Sequence, residues 1–334
     1  MKYEYETLKV GDADAIIIRH YINDETPVVI LIDAGNESQG AQIKKHLRKY
    51  YGTTTIDVAI CTHPDNDHKG GFFTLLQDDD VHIHQFLLTD PAEYLTEEDI
   101  KRYRNKENAK IAVRKIWDNS SNTHNLIDLI LEKGIKMHNA IDGVYYERIP
   151  IKVVGPTCEY YQEIVIEMVK EIGVDTYDDS SKDAYDDAFE IDDNEIKSVI
   201  DNEEDLSPKN ASSLIVLYHP GDKKYLFCGD ANTTSIQMML NKYSNIRNVD
   251  MLKVPHHGSW RNLNTSIIKE LAPKKSYISA AGNANHPNGR LVYWLSKYGP
   301  VFSTHKANDF IHSGVGINRE NTQRLEPLRK KQGS

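Results

Sequence analysis

The chain has 334 residues, 27% of them charged, and a formal net charge of -10. That length can bury a large core in one large domain or two smaller ones, while the acidic balance excludes a broad nonspecific nucleic-acid binder, which needs clustered Lys and Arg to neutralise phosphates. There is no apolar run of about 18 residues and the start, Met1 to Glu6, is acidic, so a cytoplasmic protein without membrane contact is expected.

In chain order, Ala15 to Ile18 and Val28 to Ile32 read as two strands joined by a hairpin-like connection. Ile43, Leu47 and Tyr50 follow at helical spacing, with Gly52 as a stop. Ile56 to Cys61 is a short apolar run with the character of a buried strand, and the ligand-rich run Thr62 to Gly71 comes directly after it. From about 89 to 134 the pattern is helical and polar, a packing or substrate-shaping insertion. Ile151 to Val154 returns to strand, and Tyr160 to Ile172 to helix.

Asp175 to Asp205 carries fourteen acidic residues against Lys182 and Lys197, so the rest of the chain is close to neutral. This stretch, about 173–206, is expected to be a solvated insertion that could bind a protein partner. Leu214 to Tyr218 and Lys224 to Cys228 form a second hairpin. A helix from Thr234 to Tyr243, a strand from Asp250 to Val254, the loop Pro255 to Ser259, a helix through Ile268 and Leu271, a strand from Ser276 to Ser279 and a helix from Arg290 to Lys297 complete the pattern. One domain over 1–325 is expected, with a polar tail at 326–334.

His63, Asp65, Asp67 and His68 pack four potential metal ligands into six residues at a strand end. A strand aims such groups and the loop lets them converge. Asp230 and the pair His256–His257 also follow apolar strands, so three strand ends from distant parts of the chain present Asp and His. The cysteines, Cys61, Cys158 and Cys228, are far apart and suggest neither a disulfide framework nor a thiolate zinc site.

The motifs HxDxDHKGG, NASSLIVL, FCGD and KVPHHGS, in this order and on these strand ends, resemble the metallo-β-lactamase superfamily. They are most like its branch formed by the soluble hydrolase domain of ComEC-type competence DNA-uptake proteins; VGDADAIII, IDAG and SAAGNANHP match that branch too. The resemblance implies an α/β (α+β) fold, a four-layer αββα sandwich with a one- or two-metal site at one sheet edge. It assigns His63 and Asp65 to a first ion, and Asp67, His68 and His256 to a second, with Asp230 bridging. Spacing does not choose between His256 and His257; His256 is the expected ligand, with His257 facing substrate or a supporting shell. Asn210 stands where a third-motif His usually serves the first ion. Carboxylate and amide oxygens in place of imidazole make that site harder, putting manganese slightly ahead of zinc, with magnesium also compatible. Two divalent ions about 3.5 to 4 Å apart can lower the pKa of bound water from roughly 15.7 to about 7, and Asp67 is expected to orient that water. His286 is expected to protonate a leaving oxygen or hold a phosphate, with Ser259 and Asn283 as weaker phosphate contacts.

The function expected first is a metal-dependent phosphodiesterase or nuclease acting on a nucleic-acid or other phosphodiester substrate. The alternatives are hydrolysis of a small ester, lactone or phosphorylcholine-type compound, and a non-catalytic partner-binding subunit. The fold alone does not separate them.

Overall fold

The computed structural model describes residues 1–118, 125–146, 149–170, 192–284, 286–317, 319 and 323–328. Its strands are β1 (Lys2–Leu8), β2 (Ala15–Ile22), β3 (Thr26–Ala34), β4 (Thr55–Ile56), β5 (Val58–Ile60), β6 (His82–Ile83), β7 (Gln85–Leu88), β8 (Lys136–Asn139), β9 (Tyr145–Tyr146), β10 (Ile151–Gly155), β11 (Ile215–Tyr218), β12 (Tyr225–Phe227), β13 (Met251–Lys253), β14 (Ser276–Ile278), β15 (Val301–Ser303) and β16 (Phe310–Val315). The helices are α1 (Gly40–His46), α2 (Asn66–Gln77), α3 (Glu97–Lys101), α4 (Lys106–Arg114), α5 (Leu126–Glu132), α6 (Cys158–Lys170), α7 (Asp193–Asn202), α8 (Pro208–Ala211), α9 (Thr233–Lys242), α10 (Thr265–Leu271) and α11 (Gly289–Ser296). One seven-stranded sheet runs β16-β1-β2-β3-β5-β7-β8, the other β15-β14-β13-β12-β11-β10-β9, and β4 pairs with β6 apart from both.

The uninterrupted apolar runs of the central strands follow from burial on both faces. Ile16, Ile18, Ile30 and Ile32 point between the sheets and meet Val216, Phe227 and Tyr277 there. Ile17, Val29 and Leu31 point the other way, into a layer with Ile43, Phe72, Phe73, Ile127 and Val165 from the flanking helices. On the far side, Leu217, Leu226 and Leu252 pack against Ile236, Ile267 and Leu291. The order is helices, sheet, sheet, helices, and the expected αββα sandwich is what the chain forms.

β3 and β5 are parallel, as are β12, β13 and β14. Parallel strands deliver their carboxyl ends to one edge, so the segments after Ala34, Ile60, Phe227, Lys253 and Ile278 emerge together. α2 then packs tightly on the end of β3: a Cβ on Gly71 would lie 2.0 Å from the Ala34 carbonyl oxygen, so only glycine lets the helix come this close.

β1, β15 and β16 are among the strands that escape the sequence pattern. β1, KYEYETL, buries Glu4 and Glu6 as completely as Tyr5; the glutamates pair with Arg19, Arg319, His46 and His312. β15 and β16 complete the two sheet edges.

The acidic stretch is corrected in part. Residues 171–191 lie outside the described residues, but α7 buries Ile196 and Ile200, and Asp201 accepts from Thr265 N and Oγ1 at the start of α10. The described end, 192–206, therefore docks on the core through Ile196, Ile200 and Asp205, its other side chains remaining largely exposed. The expected tail also begins late, since Leu328 N donates to Val301 O at 2.7 Å. Among the described residues of 89–134 lie the helices α3, α4 and α5. Among the described residues, no helix is long and apolar enough to cross a membrane.

Candidate metal centre

The ligand-rich run divides between loop and helix. His63 leaves the end of β5, Asp65 is the N-cap of α2, and Asp67 and His68 lie in the helix's first turn. Asp67 thus sits where the positive end of the helix favours a carboxylate. Asp230 follows β12 through Gly229, whose φ is +49 and on which a Cβ would lie 2.8 Å from Thr62 Oγ1, so a side chain has no room there. His256 and His257 follow β13 with φ of 45 and 53, and Asp33 at the end of β3 has φ 56. Left-handed backbone at three non-glycine positions is local strain that surrounding packing must hold, and it gathers here.

One ligand atom each from Asp67, His68, Asp230 and His257 falls within 4.8 Å of the others. Asp67 Oδ2 is 3.1 Å from His257 Nε2 and 3.4 Å from His68 Nε2, and Asp230 Oδ1 is 3.3 Å from His68 Nε2. A second, looser set surrounds His63: its Nε2 lies 3.8 Å from Asp65 Oδ2 and 3.8 Å from Asp230 Oδ2, and His256 Nε2 is 4.0 Å from the same Asp230 oxygen. Asp230 belongs to both. His63 Nε2, His68 Nε2 and Asp230 Oδ1 are buried without any hydrogen-bond partner. Orphaned imidazole nitrogens and a carboxylate oxygen facing one point are what a divalent cation satisfies, so these residues fit metal ions.

The expected choice of His256 for the tight set is reversed. His257 joins Asp67, His68 and Asp230, while His256 Nδ1 is turned to Asp205 Oδ2 at 3.2 Å and Asn262 Oδ1 at 3.1 Å. The reason is the left-handed turn at both residues, which sends successive side chains to different sides. The Asn210 amide nitrogen donates to Asp205 Oδ2 at 2.7 Å and lies 3.5 Å from His256 Nδ1, so it braces His256 and the carboxylate behind it. Ser259 is buried, and its Oγ accepts from Arg261 N, a turn cap rather than a phosphate contact. Asn283 likewise braces a loop, donating to Asp12 and accepting from His286 N. His286 is at the site, its ring 5.7 Å from His256 and 6.0 Å from His257, with Nδ1 buried and unpartnered.

Charge sets the protonation of these groups. Burial works against a proton on His68, and Asp230, Asp67 and Asp33 more than offset it, holding the imidazole well above its ordinary value. Burial would raise Asp67 and Asp230, yet the neighbouring histidines keep both well below the usual carboxylate range. For His286, burial and then His257 and His256 outweigh Asp230 and Asp67 and push it down to about 3.

Four supporting residues escape a reading by motif. Asp33 accepts from Thr62 N, Thr62 Oγ1 and His68 Nδ1. Asp205, the last residue of the acidic run, is buried among Asn210, Asn262 and His256. Asn262 also donates to Asp230 O. Lys209 Nζ stands 3.5 Å from Asp65 Oδ1. Only Asp33 left a signal, in the IDAG element.

Residues 10–282 match the metallo-beta-lactamase superfamily. ComE operon protein 3 of Bacillus subtilis (strain 168) is 33% identical over 96 residues, 28% of this chain and 12% of that protein, so the chain spans a small part of the curated relative's length. CmlA, a diiron beta-hydroxylase from Streptomyces venezuelae, is similar in structure with a TM-score of 0.47 and 14% identity, over 93% of this chain and 54% of that one. A diphosphatase from the PhnP family gives 0.43 and 11%, over 95% and 99%. The match over residues 10–282, on a two-sheet sandwich with its Asp and His residues at one sheet edge, establishes that the chain belongs to the metallo-beta-lactamase superfamily, whose members are mostly metal-dependent hydrolases.

Proposed function

We propose that the protein is a metal-dependent phosphodiesterase whose substrate is nucleic acid, acting in the cytoplasm. The observation that carries this reading is the pair of ligand sets sharing Asp230, with buried, unpartnered atoms on His63, His68 and Asp230 itself. Asp67, His68, His257 and Asp230 would hold one divalent ion; His63, Asp65, Asp230 and His256 would hold the other. Such a pair supplies Lewis acidity and a water of lowered pKa.

The chain's own groups do the rest. Asp67, held by two imidazoles, orients the attacking water. His286, beside both histidines of the turn, hydrogen-bonds a phosphate or leaving oxygen on the far side. Asp65 in place of an imidazole makes the first set oxygen-rich, which favours manganese, with zinc next and magnesium third. The resemblance to the ComEC-type hydrolase domain supports a nucleic-acid substrate, and the acidic chain favours a short or single-stranded one.

The test is cleavage of end-labelled single- and double-stranded DNA and RNA with manganese, magnesium or zinc, with Asp67→Ala as control. Metal-dependent cleavage lost in the variant is the expected result. Equal turnover by Asp67→Ala, or no cleavage with any metal, overturns the reading and turns attention to small esters.

A further inference from the structure

Two ligand sets share Asp230, but they differ in what else touches them. In the set around His68, four ligand atoms lie within 4.8 Å of one another and, among the described residues, no lysine or arginine is paired with Asp67; its partners are the imidazoles of His68 and His257. Both imidazoles are braced from behind, His68 by Asp33 at 2.8 Å and His257 by the Ser279 carbonyl at 3.1 Å. In the set around His63 the separations are 3.8 to 4.0 Å, against 3.1 to 3.8 Å around His68, and Asp65 divides its carboxylate. Oδ2 faces His63, while Oδ1 is paired with Lys209 at 3.5 Å. The Lys209 side chain is 12% exposed and that of Asp65 27%, so this pair is only partly screened by water. Lys69, buried nearby, feels both Asp65 and Lys209 and donates to the Ile116 carbonyl.

We infer that Lys209 sets the affinity of the first ion site: by pairing with Asp65 it makes that half the weaker one, so the protein holds one divalent cation tightly and a second only weakly. The inference rests on the two-ion reading above. A divalent cation entering beside His63 must share Asp65 with an ammonium already there and must approach that ammonium's charge. In the set around His68 the carboxylates of Asp67 and Asp230 pair with imidazoles, which can give up a proton to an entering ion, and with no lysine or arginine among the described residues. Lys209 is thus a built-in monovalent competitor for Asp65, and the second ion is recruited when other negative charge, such as a substrate phosphate, reaches the site.

The experiment is calorimetric titration of manganese, and separately zinc, into the metal-stripped full chain without substrate, for wild type, Lys209→Met, Lys209→Gln and Asp65→Asn. Wild type should take one equivalent tightly and a second at least about 10-fold more weakly; both Lys209 variants should tighten the second by about 10-fold and leave the first unchanged. In Asp65→Asn the Lys209→Met change should have no further effect. Equal affinities in wild type, or a second affinity that stays the same or weakens when Lys209 is replaced, overturns the inference. The Gln variant, with thermal unfolding as the check on folding, covers the case in which Met perturbs the chain. Because ion binding is read without turnover, absence of nuclease activity leaves this test standing, and failure here leaves the cleavage test standing.

Discussion

Asp33 Oδ2 lies 2.8 Å from His68 Nδ1, and both side chains are completely buried. The carboxylate fixes which imidazole nitrogen carries the proton, so Nε2 is presented to Asp67 and Asp230. The same carboxylate takes Thr62 N and Oγ1, tying the ends of β3 and β5 together at the point where the ligands begin.

Asp33→Asn should therefore weaken the tightly held ion by about 10- to 100-fold without touching a ligand. Metal titration checks this; an unchanged affinity would show that His68 is oriented by its helix alone.

The two adjacent histidines should separate cleanly. His257→Ala removes a member of the compact set and should cost the tight ion at least about 100-fold in affinity, more than loss of a supporting group does. His256→Ala should spare that ion and lower only the occupancy of the weaker site, as counted by manganese titration. The reverse order would restore His256 as the ligand of the compact set.

Lys253 Nζ and Asp14 Oδ2 are 2.7 Å apart, both fully buried, and join the two halves of the chain across the sheet edge. Lys253→Met strands a buried carboxylate and should cost roughly 3–5 kcal/mol in urea unfolding. Burial alone would raise the Asp14 pKa, but Lys253 and then His68 and His257 hold it below its ordinary 3.8. Its stabilisation is thus complete above 3.8 and is lost as pH falls through the lowered native value; in the variant, acid unfolding should begin at higher pH.

Lys275 offers the opposite sign. Burial among Tyr5, Tyr277 and Ser313 pushes its ammonium down from 10.5 to about 8. Below about 8 the native state carries a charge it disfavours, so stability should rise between pH 8 and 10 as the folded chain sheds this proton before the unfolded one. Lys275→Met should flatten that rise and add about 1–2 kcal/mol at pH 7, after the lost Ser313 hydrogen bond and ring contacts are deducted. Chemical denaturation at pH 7, 8 and 9.5 measures it.

Strand ends carrying Asp and His were legible from residue order because a buried parallel strand leaves an uninterrupted apolar run, and the polar group after it must emerge at the sheet edge. His63, Asp65, Asp67, His68 and Asp230 could be read in this way, whereas the αββα layers were implied by the family resemblance of the motifs. β1 could not, because its buried Glu4 and Glu6 violate the apolar signal and are satisfied by Arg19 and Arg319, the second more than 300 positions away. The packed end of the acidic run escaped for the same reason: Asp205 reads as one more solvated charge until Asn210, Asn262 and His256 close around it. Local order thus determined which groups stand at the edge and on which strands. Tertiary structure decided what each one faces: that left-handed backbone turns His257 rather than His256 to Asp67, that Asp33 stands behind His68, and that Lys209 meets Asp65. Those relations depend on angles and on partners far apart in the chain, and no spacing along a single strand encodes them.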